Sequence, residues 1–243
     1  MIIRSIKLRA ATGNGEFGFK FDFDSRLTII RAKNSSGKST LFNSLLYGLG
    51  MEELAGAKNE QVLPYAVKDY VDHEGKKIQI TASEVLVEIE NRIGEVVTLR
   101  RAIKDANRGT KLIEVFESAH LTNDELLGLS RPTYLHDAGS AFRSEGFYRF
   151  FEDFLGLELP QVPTSKGGEA KLYLQTIFAA LAVEQKRGWT DYIANIPYFG
   201  IKDASTRVAE FLLGLSVFKT ASLRNRLNSE ASNIERLWRE AAL

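Results

Sequence analysis

Residues 27–46 read LTIIRAKNSSGKSTLFNSLL, and this stretch decides the fold. It opens with Leu27-Thr28-Ile29-Ile30, a short apolar run of the kind found in a central strand that is buried on both faces. From Ser39 to Leu49, leucines recur at helical spacing and predict a helix with one apolar face. A strand, a glycine-containing loop and a helix in this order predict a loop that binds phosphate.

The loop from Ala32 to Thr40 follows the pattern G-x-x-x-x-G-K-[ST], the P-loop, with one departure. Ala32 stands where the pattern has its first glycine, and alanine strains the loop only if that position requires a positive φ. Gly37 lets the backbone approach a phosphate closely, and a helix beginning near Lys38 points its positive end at the anion.

Within the loop, each side chain has an expected role in binding a nucleotide. We expect Lys38 to reach the β- and γ-phosphates, and we expect the hydroxyl of Ser39 to hold Mg²⁺, which prefers oxygen ligands. The other expected binding residues are Lys33, Asn34, Ser35, Ser36, Gly37 and Thr40.

The residues around the loop predict the rest of the architecture. The apolar residues between Ile2 and Leu8, followed by the alternating Phe17, Phe19, Phe21 and Phe23, predict a β-hairpin. Residues 77–117 predict further strands with a turn at residues 107–109. The phenylalanines from Phe142 to Phe154, which lie at helical spacing from Phe147 onward, are expected in the core, in preference to a base-stacking platform.

Farther along the chain, residues 160–168 predict a loop, because proline, serine and glycine are frequent there. The apolar run 172–183 fits either a buried strand or a buried helix, since its periodicity does not distinguish them. Asp203 is expected to cap the N-terminus of a helix that continues to Leu215.

Composition restricts the class of protein. The 243 residues are 44% hydrophobic and 26% charged, which is typical of a globular chain with a sizeable core. The net charge of +1 gives no overall attraction to a polyanion. The lack of cysteine suits a reducing cytoplasm, and no stretch approaches the ~20 apolar residues of a membrane span. We therefore expect a cytoplasmic protein without a membrane partner.

The opening of the chain resembles the N-terminal half of an ABC-type ATPase head of the SMC superfamily, in the RecF, RecN and SbcC-like repair and defence group. The resemblance rests on the hairpin, on the strand before the loop, and on Asn34 and Ser36-Gly37-Lys38-Ser39-Thr40, which match the family form position by position. Ala32 is the departure. The resemblance implies an α/β P-loop NTPase fold with a β-rich lobe.

This likeness also implies the organisation of domains. Residues 1–216 would form the N-terminal part of the head, and residues 217–243 would begin a coiled coil. In the second range, apolar residues recur at a spacing of three to four, at Leu223, Leu227, Ile234, Leu237 and Ala241.

Further site residues follow from the same resemblance. Similar heads carry a glutamine after the β-rich lobe that senses Mg²⁺ and the γ-phosphate, and Gln185 occupies the matching place. Arg207 and Leu212-Leu213-Gly214-Leu215 match the segment before the coil. The implied catalytic residues are therefore Lys38 and Gln185, the implied metal ligands are Ser39 and Gln185, and the implied cofactors are ATP and Mg²⁺.

Two motifs of such heads are missing from the sequence. No apolar strand ends in the Asp-Glu pair of a Walker B motif. The nearest match to the Leu-Ser-Gly-Gly signature, residues 165–169, has an inserted lysine and is expected to be an ordinary loop. In the SMC group both motifs follow the coiled coil, so we expect the natural chain to continue and this part alone to hydrolyse ATP poorly.

The function implied is that of an ATP-binding segment of an SMC-like ATPase that acts on DNA, in repair or in defence against foreign DNA. Its implied partners are a second head, forming a homodimer, the C-terminal half of the same head, and DNA. Two alternatives stay open: a nucleotide-gated module for a partner nuclease or effector, and the ATPase part of an overcoming-lysogenization-defect-type nuclease.

Two groups of arginines have more than one interpretation. Arg100-Arg101 resembles the strand-end arginine of related heads, or is a solvated charge pair. The second group either contacts DNA phosphates or forms the solvated face of a helix, and consists of Arg224, Arg226, Arg236 and Arg239.

Overall fold

The structure of the protein is a computed structural model. It describes residues 1–34, 36–56, 59–123, 128–135, 145–183, 196–215, 227, 230–231 and 234–240. The chain forms two compact units, Met1–Leu157 and Glu158–Leu243.

The first unit consists of a large antiparallel sheet and three helices. Its strands are β1 (Ile2–Thr12), β2 (Gly15–Asp22), β3 (Tyr70–His73), β4 (Lys76–Glu90), β5 (Val96–Lys104), β6 (Leu112–Phe116) and β7 (Arg131–Tyr134). Its helices are α1 (Lys38–Gly48), α2 (Tyr65–Lys68) and α3 (Phe147–Leu155), and two 3₁₀ turns span Glu52–Ala55 and Asn59–Val62.

The predicted hairpin and the β-rich lobe belong to one seven-stranded sheet with the order β2-β1-β4-β5-β6-β7, in which β3 also pairs with β4. Leu8 pairs with Phe19 in the hairpin and with Val85 on its other side. The turn predicted at residues 107–109 joins β5 to β6, and the carboxylate of Asp105 accepts hydrogen bonds from the amides of Asn107 and Arg108. The alternation of apolar residues therefore predicted this lobe correctly.

Two helices cover the inner face of this sheet. The end of α1 lies so close to β4 that a Cβ atom placed on Gly48 would be 2.4 Å from Cγ2 of Val87. In α3, Phe147 and Phe151 are fully buried, and the hydroxyl of Tyr148 donates to the carbonyl of Gly50 at 2.8 Å. The predicted role as core residues is confirmed for Phe147, Phe150 and Phe151, while Phe142 lies outside the described residues.

The outer face of the sheet carries an ion-pair network centred on Glu84 of β4. Its carboxylate accepts hydrogen bonds from Arg100 and Arg108, both at 2.9 Å, and lies 3.4 Å from Arg9. Burial alone would raise the pKa of Glu84, but the two arginine hydrogen bonds outweigh it and hold the pKa below its ordinary value. The network therefore keeps this carboxylate ionised.

The predicted central strand at Leu27–Ile30 is wrong for the described structure. These residues belong to no strand, and the side chains of Leu27 and Ile29 are 72% and 81% exposed. A turn precedes them, in which Oδ1 of Asp24 accepts from the amide of Arg26 at 2.8 Å. The apolar run indicates burial on both faces, but no described strand lies beside it to provide that burial.

The second unit is smaller. It contains β8 (Gln161–Pro163), β9 (Glu169–Lys171), α4 (Leu174–Leu181) and α5 (Ala204–Leu212). The loop predicted at residues 160–168 is therefore in part a hairpin. The open alternative at 172–183 resolves to a helix, because residues three apart, Ile177 and Ala180, reach a core shared with Val162 and Val208.

Asp203 occupies the N-cap position of α5 as predicted, but with a left-handed backbone (φ 52°, ψ 46°) and no side-chain capping hydrogen bond. Within the predicted coil, the structure describes helical residues at 234–240, and the coiled coil itself stays a prediction. Among the described residues, no helix has both the length and the apolar character to cross a membrane.

Candidate phosphate-binding site

The loop between residue 31 and α1 turns sharply at Gly37. This glycine is the N-cap of α1 and has φ 89° and ψ 7°, a left-handed conformation that glycine adopts without steric cost. Its carbonyl accepts the first helical hydrogen bond, from the amide of Leu41 at 2.9 Å. The free amides of the first turn of α1 therefore face the loop, as an anion site at a helix N-terminus requires.

The side chain of Lys38 folds back into the loop. Its Nζ donates to the carbonyl of Ala32 at 2.8 Å and to the carbonyl of Lys33 at 2.7 Å. Oγ of Ser36 donates to the same Lys33 carbonyl at 2.6 Å. These bonds close the loop around an ammonium group that remains exposed to solvent, so the loop is curled and its cation is accessible to an anion.

Ala32 fits the loop without backbone strain. Positive φ angles at non-glycine residues occur only at Glu74 and Asp203 in the part of the chain that the structure describes. The position of the first P-loop glycine therefore does not require glycine here.

A cavity of about 380 Å³ opens between the loop and the inner face of the β1–β2 hairpin. Lys38 and Thr40 line it on the loop side, and Leu8 and Phe19 line it on the hairpin side. Ile30 completes the wall at the start of the loop. The loop thus has open, largely apolar space next to its charged end.

The structure brings most of the predicted binding residues together and leaves others undescribed. Lys33, Asn34, Ser36, Gly37, Lys38, Ser39 and Thr40 lie in one loop and one helix start. Ser35 and Gln185 lie outside the described residues, so the role of Gln185 stays a prediction.

Neither predicted interpretation of Arg100-Arg101 is correct. Both residues lie inside β5, not at its end. Arg101 is fully buried and forms a two-bond ion pair with Glu52 at 2.8 and 2.9 Å, while Arg100 pairs with Glu84 on the opposite face. Burial alone would lower the pKa of Arg101, but its hydrogen bonds to Glu52 hold the pKa above the ordinary value.

The remaining candidates have local partners. Residues 164–168 form the hairpin turn between β8 and β9, with Gly167 and Gly168 at positive φ, so they are an ordinary turn as expected. Arg207 pairs with Glu210 at 2.6 Å. Arg236 pairs with Glu240 at 2.7 Å on one helix face, and Arg224 and Arg226 lie outside the described residues.

The hydrogen-bond donors of the loop suit a nucleoside triphosphate. Exposed helix amides and one ammonium group suit phosphate oxygens, and the exposed hydroxyl of Ser39 in the first turn suits Mg²⁺. Sequence reasoning missed Glu52, whose partner Arg101 is 49 residues away. In the sequence, the adjacent acidic residues Glu52-Glu53 after α1 are the feature that could have indicated an ion pair.

Two comparisons relate the chain to known proteins. A family model described as an AAA domain matches residues 10–134, just over half of the chain. A solved structure from work on ATP-driven dimerisation and DNA-stimulated activation of SMC ATPases is similar at 16% identity, over 48% of this chain and 69% of that chain, with a TM-score of 0.32. No curated protein sequence matches the chain.

Proposed function

The chain belongs to the AAA domain family, and we propose on that premise that it is the ATP-binding N-terminal segment of an SMC-like ATPase acting on DNA. The observation that supports the proposal best is the curled loop, with Lys38 at its centre and the N-terminus of α1 behind it. The polyphosphate of ATP takes the place beside the Lys38 ammonium and accepts hydrogen bonds from the amides of the first helical turn.

The loop residues have distinct tasks in this proposal. Lys38 neutralises charge on the β- and γ-phosphates, and Gly37 keeps the backbone close to them. Ser39 and Gln185 hold Mg²⁺, which supplies further neutralisation of phosphoryl charge. The sequence offers no Asp-Glu pair at the end of an apolar strand to activate water, so the chain alone turns nucleotide over poorly. We also expect it to bind nucleotide weakly without the rest of the head.

The exposure of the apolar run Leu27–Ile30 supports the proposal that a partner polypeptide completes the head. The order of an apolar extended segment, a loop and a helix is the first half of a βαβ unit, whose second parallel strand lies in the same sheet. No such strand occurs in the described residues. The C-terminal half of the same head supplies it, together with the catalytic glutamate, and a second head completes the site on ATP binding.

The test is the affinity of the chain for ATP with Mg²⁺, measured by calorimetry on the native chain and two lysine variants. We expect Lys38→Ala to weaken binding at least tenfold, because it removes the ammonium group that bonds across the loop. Lys76→Ala, which changes another exposed lysine, at the start of β4, is expected to bind within twofold of native. Equal affinity of the Lys38→Ala variant would refute the proposal.

Hydrolysis separates the enzymatic function from the open alternative. When the complete protein is assembled, turnover that disappears in Lys38→Ala supports an ATPase. Binding of ATP without any turnover in the complete protein supports a nucleotide-gated module for a nuclease or effector. ATP turnover by the isolated chain at the rate of the complete protein would contradict the proposal that the nucleotide site of this chain is incomplete.

A further inference from the structure

The buried pair Arg101–Glu52 is attached to the helix that carries the phosphate loop. Nη1 of Arg101 donates to the carbonyl of Tyr47, in the last turn of α1, at 2.7 Å. Its Nε donates to the carbonyl of Thr110 at 2.7 Å, and its guanidinium carbon lies 3.8 Å from the centre of the Tyr47 ring. Arg101 thus fixes the end of α1 to β5 and to the turn that follows β5.

Two further contacts hold the same end of the helix. The hydroxyl of Tyr47 donates to the carbonyl of Ala102 at 2.6 Å. The absence of a side chain at Gly48 lets α1 lie against Val87 of β4. The last three residues of α1 are buried, whereas Lys38 and Ser39 at its start are exposed. The helix is therefore held mainly at its C-terminal end, with one further bond at mid-helix from Asn43 to the carbonyl of Val62 at 3.2 Å, while its phosphate-binding end is exposed beside the cavity.

When a helix is held at its C-terminal end, a tilt about that end displaces its N-terminal residues most. Lys38 and Tyr47 are nine positions apart, about 13 Å along a helix at 1.5 Å per residue. A tilt of about 5° at the buried end then displaces Lys38 by about 1 Å, enough to impair the alignment of a phosphate with its donors.

We propose that Arg101 and Glu52 are positioning residues of the phosphate site, which act through α1 without touching the nucleotide. The proposal rests on the proposed function, because it presupposes that the loop binds ATP. Together the two side chains form a clamp whose geometry sets the direction in which the helix start points.

The experiment measures ATP affinity of the full chain in the presence of Mg²⁺, at a temperature at which every variant is folded. The main variant combines Arg101→Met with Glu52→Leu, because replacing both partners by apolar residues avoids leaving a buried charge unpaired. The matched control is Ile89→Ala, a fully buried residue of β4 whose cross-strand neighbours are Ile3 and Val97, so that it loses core packing without neighbouring Arg101. Melting temperatures show whether the two changes cost similar stability.

We expect the double variant to bind ATP about tenfold more weakly than the native chain, while the control binds within twofold. If the double variant binds ATP as tightly as the native chain, or if the double variant and the control lose the same affinity, the proposed role of the clamp is overturned. If the double variant does not fold, Tyr47→Phe decides: a two- to threefold loss supports the clamp and unchanged affinity overturns it. A native chain that binds no ATP would instead refute the proposed function, and the clamp with it.

Discussion

At the scale of single residues, the phosphate loop requires glycine at its second end but not at its first. Gly37 has φ 89°, where a Cβ atom costs about 1–2 kcal/mol in backbone strain, whereas Ala32 has no positive φ. We therefore expect Gly37→Ala to lower the free energy of unfolding by about 1 kcal/mol and to weaken ATP binding at least fivefold. Denaturant unfolding and calorimetry measure the two effects.

The control is Ala32→Gly, which restores the glycine of the P-loop pattern. It is expected to leave ATP affinity within twofold of native, because the alanine is not strained. It should cost a few tenths of a kcal/mol in stability, since glycine gains more freedom in the unfolded chain. Binding that tightens tenfold in Ala32→Gly would mean that the loop does require glycine at this position.

Residue identity predicted the loop because its chemistry is local. Gly37, Lys38 and Ser39 are consecutive, and their roles follow from a pattern only eight residues long. The pair Arg101–Glu52 was not predictable in this way. Its partners are 49 residues apart, and adjacent arginines in a strand point to opposite faces, so that one is buried and its neighbour belongs to the outer network.

At the scale of elements, the close approach of α1 to β4 depends on Gly48. A Cβ atom there would lie 2.4 Å from Cγ2 of Val87 and 3.4 Å from Cγ1 of Val85. Alanine is the better helix former by about 1 kcal/mol, but the overlap outweighs that gain, since overpacking costs about 1–3 kcal/mol. We expect Gly48→Ala to destabilise the chain by about 1–2 kcal/mol, measured by denaturant unfolding.

Val87→Ala provides the matched second change, because it removes the methyl group that the new Cβ would meet. On its own it leaves a cavity and costs about 2 kcal/mol. Combined with Gly48→Ala it should cost less than the sum of the two single changes, by about 1 kcal/mol. Strict additivity would mean that the helix does not press on Val87.

Element prediction succeeded where periodicity and burial agree. The strictly alternating phenylalanines of β2 face one side of the sheet, and Leu46 of α1 is buried in the core. The prediction at Leu27–Ile30 was wrong because an apolar run reports only that burial is required, not which polypeptide supplies it. The ambiguous run at 172–183 contains α4, which is buried on several sides, and burial of that kind suits a strand and a helix equally, so the sequence could not distinguish them.

At the scale of the whole molecule, membership of the AAA domain family and the P-loop geometry confirm the predicted P-loop NTPase fold. The division of the chain into a head at 1–216 and a coil from 217 stays a prediction. What the sequence could not predict is the grouping of elements at Leu157, because that grouping depends on contacts between residues far apart in the chain.

The exposed run before the loop leads to a prediction about assembly. Ile29 is 81% exposed, so Ile29→Asp should change the free energy of unfolding of the chain alone by less than about 0.5 kcal/mol. If the C-terminal half of the head adds a parallel strand beside residues 27–30, the new carboxylate is buried and unpaired on association. We therefore expect at least a tenfold loss of affinity for that half, measured by calorimetry.

The matched control is Ile93→Asp, 75% exposed in the turn between β4 and β5, which should associate normally. Equal association of both variants would place the partner strand elsewhere.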